Sequence, residues 1–98
     1  MVILHQILFR TSKGVTNMTD VSMDEINKLV GLQLGVRDVT ADVLLVEELG
    51  AESADVVNII AVLEEKYQIA VKESEIAKIQ TPADLFMLVE MKLGDSHF

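Results

Sequence analysis

The chain has 98 residues, enough for one small domain, and half of them are hydrophobic although Phe9, Tyr67, Phe86 and Phe98 are its only aromatics, so its core must be aliphatic. The absence of cysteine excludes a disulfide scaffold, a thiol nucleophile and a Cys-ligated zinc site, and two histidines at opposite ends, His5 and His97, argue against a His-based metal or catalytic cluster. A net charge of −8 is the wrong sign for a nucleic-acid binder and favours basic partners met through fast, salt-sensitive encounters.

Residues 1–17 differ from the rest. They hold Arg10 and Lys13 but no acid, whereas all 16 acids lie from Asp20 to Asp95, leaving six bases against sixteen acids and a charge of −10 there. Val2 to Phe9 is apolar but broken by His5 and Gln6 and has no basic residue ahead of it, which makes a poor secretory signal. No stretch approaches the roughly 20 apolar residues of a membrane span. Residues 1–17 therefore read as an N-terminal extension outside a domain spanning 18–94. An organellar presequence remnant is the alternative, being basic, Ser/Thr-bearing and acid-free, and it would change the expected location from cytoplasm to an organellar matrix.

Ser22 with Glu25 three residues on forms a capping box. Met23, Ile26, Leu29, Val30 and Leu34 follow at helical spacing, and Gly35 stands where a helix should end. Gly31 weakens this helix by about 1 kcal/mol relative to Ala. Residues 36–50 look irregular, and Leu45, Val46 and Leu49 are expected to lay this connection across the helices as part of the core. Ser53 to Tyr67 is the clearest helix. Val56, Ile59, Ile60, Leu63 and Tyr67 form one buried stripe, the opposite face carries Ala54, Asp55, Asn58, Ala61, Glu64, Glu65 and Gln68, and Val57 falls between. Glu73 to Ile79 fits a short helix of about two turns with Ile76 and Ile79 inward. Thr81 caps the last helix, Pro82 takes its tolerated first position and Asp84 completes the box. Leu85, Phe86, Leu88, Val89 and Leu93 supply its buried face, Gly94 ends it, and 95–98 is a frayed tail. The sum is an all-α fold, a small four-helix bundle of three longer helices and one short. Its expected core is Ile26, Val30, Leu45, Val46, Leu49, Val56, Ile59, Ile60, Leu63, Tyr67, Ile76, Ile79, Phe86 and Val89.

Phosphate-cradling glycine loops, HExxH and calcium-loop patterns are absent from the sequence. Glu47, Glu48, Glu52 and Asp55 cluster, but nothing nearby would raise one carboxyl's pKa by burial, so they read as a solvated face rather than an acid–base pair. More specific is Glu48-Leu49-Gly50-Ala51-Glu52-Ser53-Ala54-Asp55, in which a glycine turn delivers a serine to the start of an amphipathic helix. An anion attached to that hydroxyl would meet the free N–H groups and the positive end of the helix dipole. From the local sequence alone, a plain helix N-cap is the favoured reading of Ser53.

Leu49-Gly50-Ala51-Glu52-Ser53-Ala54, followed by an acidic helix and Leu63-Glu64-Glu65-Lys66-Tyr67, resembles the acyl carrier proteins. Leu32-Gln33-Leu34-Gly35-Val36 is similar to that family's end of the first helix. Glu75-Ile76-Ala77-Lys78-Ile79-Gln80-Thr81 is similar to its third helix and following cap. The likeness runs from about Ile26 to Val89. It implies a non-enzymatic carrier of the stand-alone fatty-acid-synthesis type, with 4′-phosphopantetheine attached to Ser53 by a phosphopantetheinyl transferase and acyl groups carried as thioesters. It further implies a monomer whose partners are acyl-transfer and fatty-acid-synthesis enzymes with basic docking patches. Glu48, Glu52, Ala54, Asp55, Val57, Asn58, Ala61, Glu64 and Glu65 are the expected partner-binding face, and Leu45, Val46, Ile59, Ile60 and Leu63 the expected acyl-chain pocket. Glu52 and Ala54 depart from the family's usual Asp and Leu around the serine, and Asn58 stands where many members have Glu, departures that bear on the choice of partners. A carrier of a polyketide or other secondary pathway, and a carrier-like subunit of a larger assembly, are the alternatives.

Overall fold

The computed structural model describes residues 21–95, and the expected extension 1–17 and the end of the tail lie outside the described residues. Four helices and no strand occur among the described residues: α1 Met23–Leu34, α2 Ser53–Tyr67, α3 Glu73–Ile76 and α4 Pro82–Asp95. The all-α plan of three longer helices and one short is thus the observed one.

Each helix end has a local cause. Ser22 Oγ accepts the Glu25 N–H at 3.1 Å to open α1. Gly35, left-handed at φ 70, closes it, and the Gly35 and Val36 N–H groups both donate to the Gly31 carbonyl, at 2.8 and 3.0 Å. Gly31 has a steric cause: a Cβ there would stand 2.9 Å from the Val36 carbonyl oxygen, so the chain leaving the helix favours glycine. α2 ends at left-handed Gln68, and α4 opens on the expected box, with Thr81 N–H on Asp84 Oδ2 at 3.0 Å and Asp84 N–H on Thr81 Oγ1 at 3.2 Å.

Two expected boundaries need correction. The short helix is α-helical only over four residues, not through Ile79. Lys78 N–H to Glu75 and Ile79 N–H to Ile76 are tighter three-residue bonds, which turn the chain into the α4 cap. α4 runs through Gly94 to Asp95, because Gly94 does not take the left-handed conformation a C-terminal glycine would need to end it there.

The core gathers Ile26 and Val30 of α1, Leu45, the α2 stripe Val56, Ile59, Ile60, Leu63 and Tyr67, and Leu85 and Val89 of α4. Leu49, Ile76, Ile79 and Phe86 pack at its edge, half-buried rather than central. Val46 is a further correction, being 53 % exposed while Leu45 is 0 %. Residues 44–50 form a turn in which Glu48 and Leu49 N–H groups return to the Leu44 carbonyl, and the coil of this turn directs Leu45 into the core and Val46 to solvent.

Tyr67, at the end of α2, donates its hydroxyl to Glu25 Oε1 near the start of α1 at 2.7 Å, so these helices run antiparallel. Burial first, then that hydrogen bond and the charge of Glu25, push the Tyr67 hydroxyl well above its ordinary pKa. Lys92 of α4 reaches Glu75 of α3 at 3.0 Å. The Lys72 N–H foremost, and Lys92 after it, hold the Glu75 carboxyl below its ordinary value. These ties leave the start of α2, with Ser53, at the other end of the bundle, roughly 20 Å away by helical rise.

Candidate functional site

Leu45 anchors the approach to Ser53. Its buried side chain fills the core, its N–H donates to the Gln80 carbonyl at 2.9 Å, and its carbonyl receives the Ala51 N–H at 2.9 Å. Between them Gly50, left-handed at φ 73, gives its N–H to the Val46 carbonyl at 3.1 Å, a conformation that strains any residue with a Cβ. Ala51 is buried and the next two residues emerge into solvent. Glu48 Oε1 accepts the Leu44 N–H at 2.7 Å and closes the turn from below.

Ser53 is not the helix N-cap. Glu52 holds that position, with extended backbone (φ −101, ψ 166), and Ser53 is the first helical residue. The Glu52 N–H donates to Asp55 Oδ2 at 2.9 Å, and the Glu52 carbonyl receives the Asp55 and Val56 N–H groups. The Ser53 hydroxyl is exposed and, like the Ser53 and Ala54 N–H groups, has no partner among the described residues. An exposed hydroxyl beside two unpaired helix N–H groups fits a phosphodiester at that oxygen: the acceptor is reachable and donors await the anion.

The family described as the phosphopantetheine attachment site matches residues 24–86, which contain this turn and helix. The chain belongs to the acyl carrier protein family. It is 38% identical over 80 residues to an acyl carrier protein of Akkermansia muciniphila, covering 79% of this chain and 100% of that one. It is 39% identical over 69 residues to one of Wolinella succinogenes, covering 68% of this chain and 91% of that one. The crystal structure of the Thermotoga maritima acyl carrier protein superposes with a TM-score of 0.65 over 76% of this chain and 88% of that one, at 24% identity, a likeness of fold alone. This acyl carrier protein is a carrier and not an enzyme, and its cofactor is phosphopantetheine.

The expected docking residues divide in two. Glu52, Ala54, Val57, Asn58, Ala61 and Glu65 are exposed along α2, with Val57 at 47 %. Glu48, Asp55 and Glu64 are committed to backbone N–H groups of the carrier itself. Glu64 is half-buried and its Oε2 accepts the Val71 N–H at 2.9 Å, tying the end of α2 to the segment before α3. Of the expected pocket, Leu45, Ile59, Ile60 and Leu63 form one buried cluster, and Val46 stands outside it. Two open grooves, about 560 Å³ beside Gly31 and Leu32 and about 400 Å³ by Ile79, Met87 and Met91, are lined by none of them. No helix among the described residues is long and apolar enough to cross a membrane.

Sequence reading missed the internal work of Glu48 and Glu64 and the anchoring of Ala51. The signal for Glu48 was present: a carboxylate four residues after the start of a glycine-ended turn can reach back to an unpaired N–H.

Proposed function

We propose that this acyl carrier protein bears its arm on Ser53 and shuttles acyl intermediates among the separate enzymes of cytoplasmic fatty-acid synthesis. The observation that carries the reading is the exposed, unpartnered Ser53 hydroxyl at the first turn of α2, delivered by the Gly50 turn. In a transferase the Ser53 Oγ would lose its proton and bond to the phosphorus of coenzyme A as adenosine 3′,5′-bisphosphate leaves. The arm supplies a thiol, which this cysteine-free chain lacks, to hold acyl groups as thioesters.

The chain's own residues bind, present and shelter. The Ser53 and Ala54 N–H groups favour the phosphate at the helix start. Glu52 and Glu65, both exposed, offer charge to Arg or Lys around a partner's active-site entrance. Ala54, Val57 and Ala61 add only small apolar contacts, so association is brief, as a shuttle requires. Leu45, Ile59, Ile60 and Leu63 form the cluster into which an acyl chain would insert, by displacing side chains rather than by filling an open cavity.

Reconstitution with purified fatty-acid-synthesis enzymes tests this. The armed protein should accept a malonyl group and support elongation at rates that fall as salt rises. Efficient arming without malonyl transfer or elongation would overturn the pathway assignment and leave a carrier of another kind.

A further inference from the structure

The α3–α4 junction is tied to the serine turn by an unbroken series of backbone hydrogen bonds. Asp84 Oδ2 accepts two N–H groups, from Gln80 at 2.9 Å and Thr81 at 3.0 Å, and the Asp84 N–H returns to Thr81 Oγ1. This double acceptance fixes the peptide planes on both sides of Gln80. The Gln80 carbonyl, so aimed, receives the Leu45 N–H at 2.9 Å. The Leu45 carbonyl receives the Ala51 N–H at 2.9 Å, two residues before Ser53. Two residues beyond the cap, the Ala83 N–H donates to the Ala41 carbonyl at 2.9 Å, so the start of α4 grips the same connection twice. The Glu48–Leu44 closure is internal to the turn and does not locate it on the bundle. The Gln80–Leu45 bond and the buried Leu45 side chain do locate it.

We propose that Asp84 is a positioning residue for Ser53: by fixing the Gln80–Thr81 backbone it holds Leu45 and Ala51, and thereby sets where the Ser53 hydroxyl stands for the transferase. The inference rests on Ser53 as the attachment point. A capping carboxylate ordinarily serves its own helix, but here the amide it orders carries the carbonyl that seats a turn 39 residues away in sequence, counted from Leu45 to Asp84. Where the turn samples several positions, only a fraction of molecules present Ser53 correctly, and the apparent affinity for the transferase falls by that fraction while turnover of the bound complex is kept.

The test compares Asp84→Ala, Asp84→Asn and Ser22→Ala in the full chain. Ser22→Ala removes the N-cap hydrogen bond that opens α1, which the series does not include. Two readouts are taken: residue-resolved amide hydrogen exchange on the unmodified protein, and kcat and KM for phosphopantetheinyl transfer from coenzyme A. Asp84→Ala should speed exchange at the Leu45 and Ala51 amides about tenfold relative to those of Ile60 and Leu63, and raise KM threefold or more with kcat within twofold. Asp84→Asn, which keeps one acceptor oxygen, should recover most of both, and Ser22→Ala should show neither. Exchange or KM for Asp84→Ala matching Ser22→Ala would overturn the inference. Wild-type protein labelled at a residue other than Ser53 would instead overturn the attachment reading, leaving the exchange result to judge the hydrogen-bond series by itself.

Discussion

Replacing Glu64 separates what this residue does for the fold from what its charge does for partners. Its Oε2 is the acceptor for the half-buried Val71 N–H, and the Glu64 carbonyl also receives the Ile69 N–H. Glu64→Ala removes the side-chain acceptor and leaves the Val71 amide unpaired. An unsatisfied donor costs about 1–3 kcal/mol, and partial access of water at this site brings the expectation to about 1–2 kcal/mol. A negative charge near the end of α2 opposes the helix dipole by roughly 0.3–1 kcal/mol, so its removal offsets a little of the loss. For a domain of this size the thermal midpoint should fall by roughly 4–12 °C. Glu64→Gln keeps an amide oxygen for Val71 and should cost less than about 1 kcal/mol. Glu65→Ala, one residue on but exposed, should be near neutral. Thermal unfolding of the three variants at neutral pH makes the comparison, and equal midpoints for Glu64→Ala and Glu65→Ala would refute the role given to the Val71 hydrogen bond.

Gly31→Ala should destabilise the protein by about 1–3 kcal/mol in urea unfolding, since a Cβ 2.9 Å from the Val36 carbonyl oxygen outweighs the gain in helix propensity of about 1 kcal/mol. The raised pKa of Tyr67 means that its contribution to stability is full below the ordinary value of 10.0 and is lost as pH rises beyond it, so unfolding followed from pH 9 to 12 should show a steeper alkaline loss in wild type than in Tyr67→Phe. Acyl chains of increasing length on the arm should raise the thermal midpoint progressively, by up to about 0.8 kcal/mol per buried methylene less the work of opening the core, and midpoints independent of chain length would place the chain in solvent. Glu65→Lys should slow transferase modification at low salt without unfolding the domain, and rates unchanged by the reversal and flat with salt would remove this face from docking.

The parts of this structure set by short-range pattern were legible in the sequence. Ser22 and Glu25, Thr81 and Asp84, Gly35, and the stripe from Val56 to Tyr67 each act within one or two helical turns, and each stands where the spacing places it. The misses have long-range or geometric causes. Val46 and Leu45 are alike in hydropathy, and only the coil of the 44–50 turn decides which of them faces inward. Helix α3 stops early because the chain must turn into the Thr81 cap, and Gly31 looks like a weakness until the Val36 carbonyl is seen beside it. The serine turn and the helix span from Ser53 to Tyr67 were legible, but the choice of Glu52 over Ser53 as the cap was not, because serine suits both positions and Glu52 is an unusual cap. Glu48, Asp55 and Glu64 read as surface charge because their N–H partners are backbone atoms, which leave no mark in composition.

Incubating the purified chain with coenzyme A and a broad-specificity phosphopantetheinyl transferase, with intact and fragment mass read afterwards, tests the central claim most directly. Wild type should gain the mass of one phosphopantetheine, located on Ser53. Ser53→Ala should gain none while keeping its helical circular dichroism, since Glu52 rather than Ser53 caps the helix. A labelled Ser53→Ala protein, or a folded wild type that takes up no arm, would contradict the account.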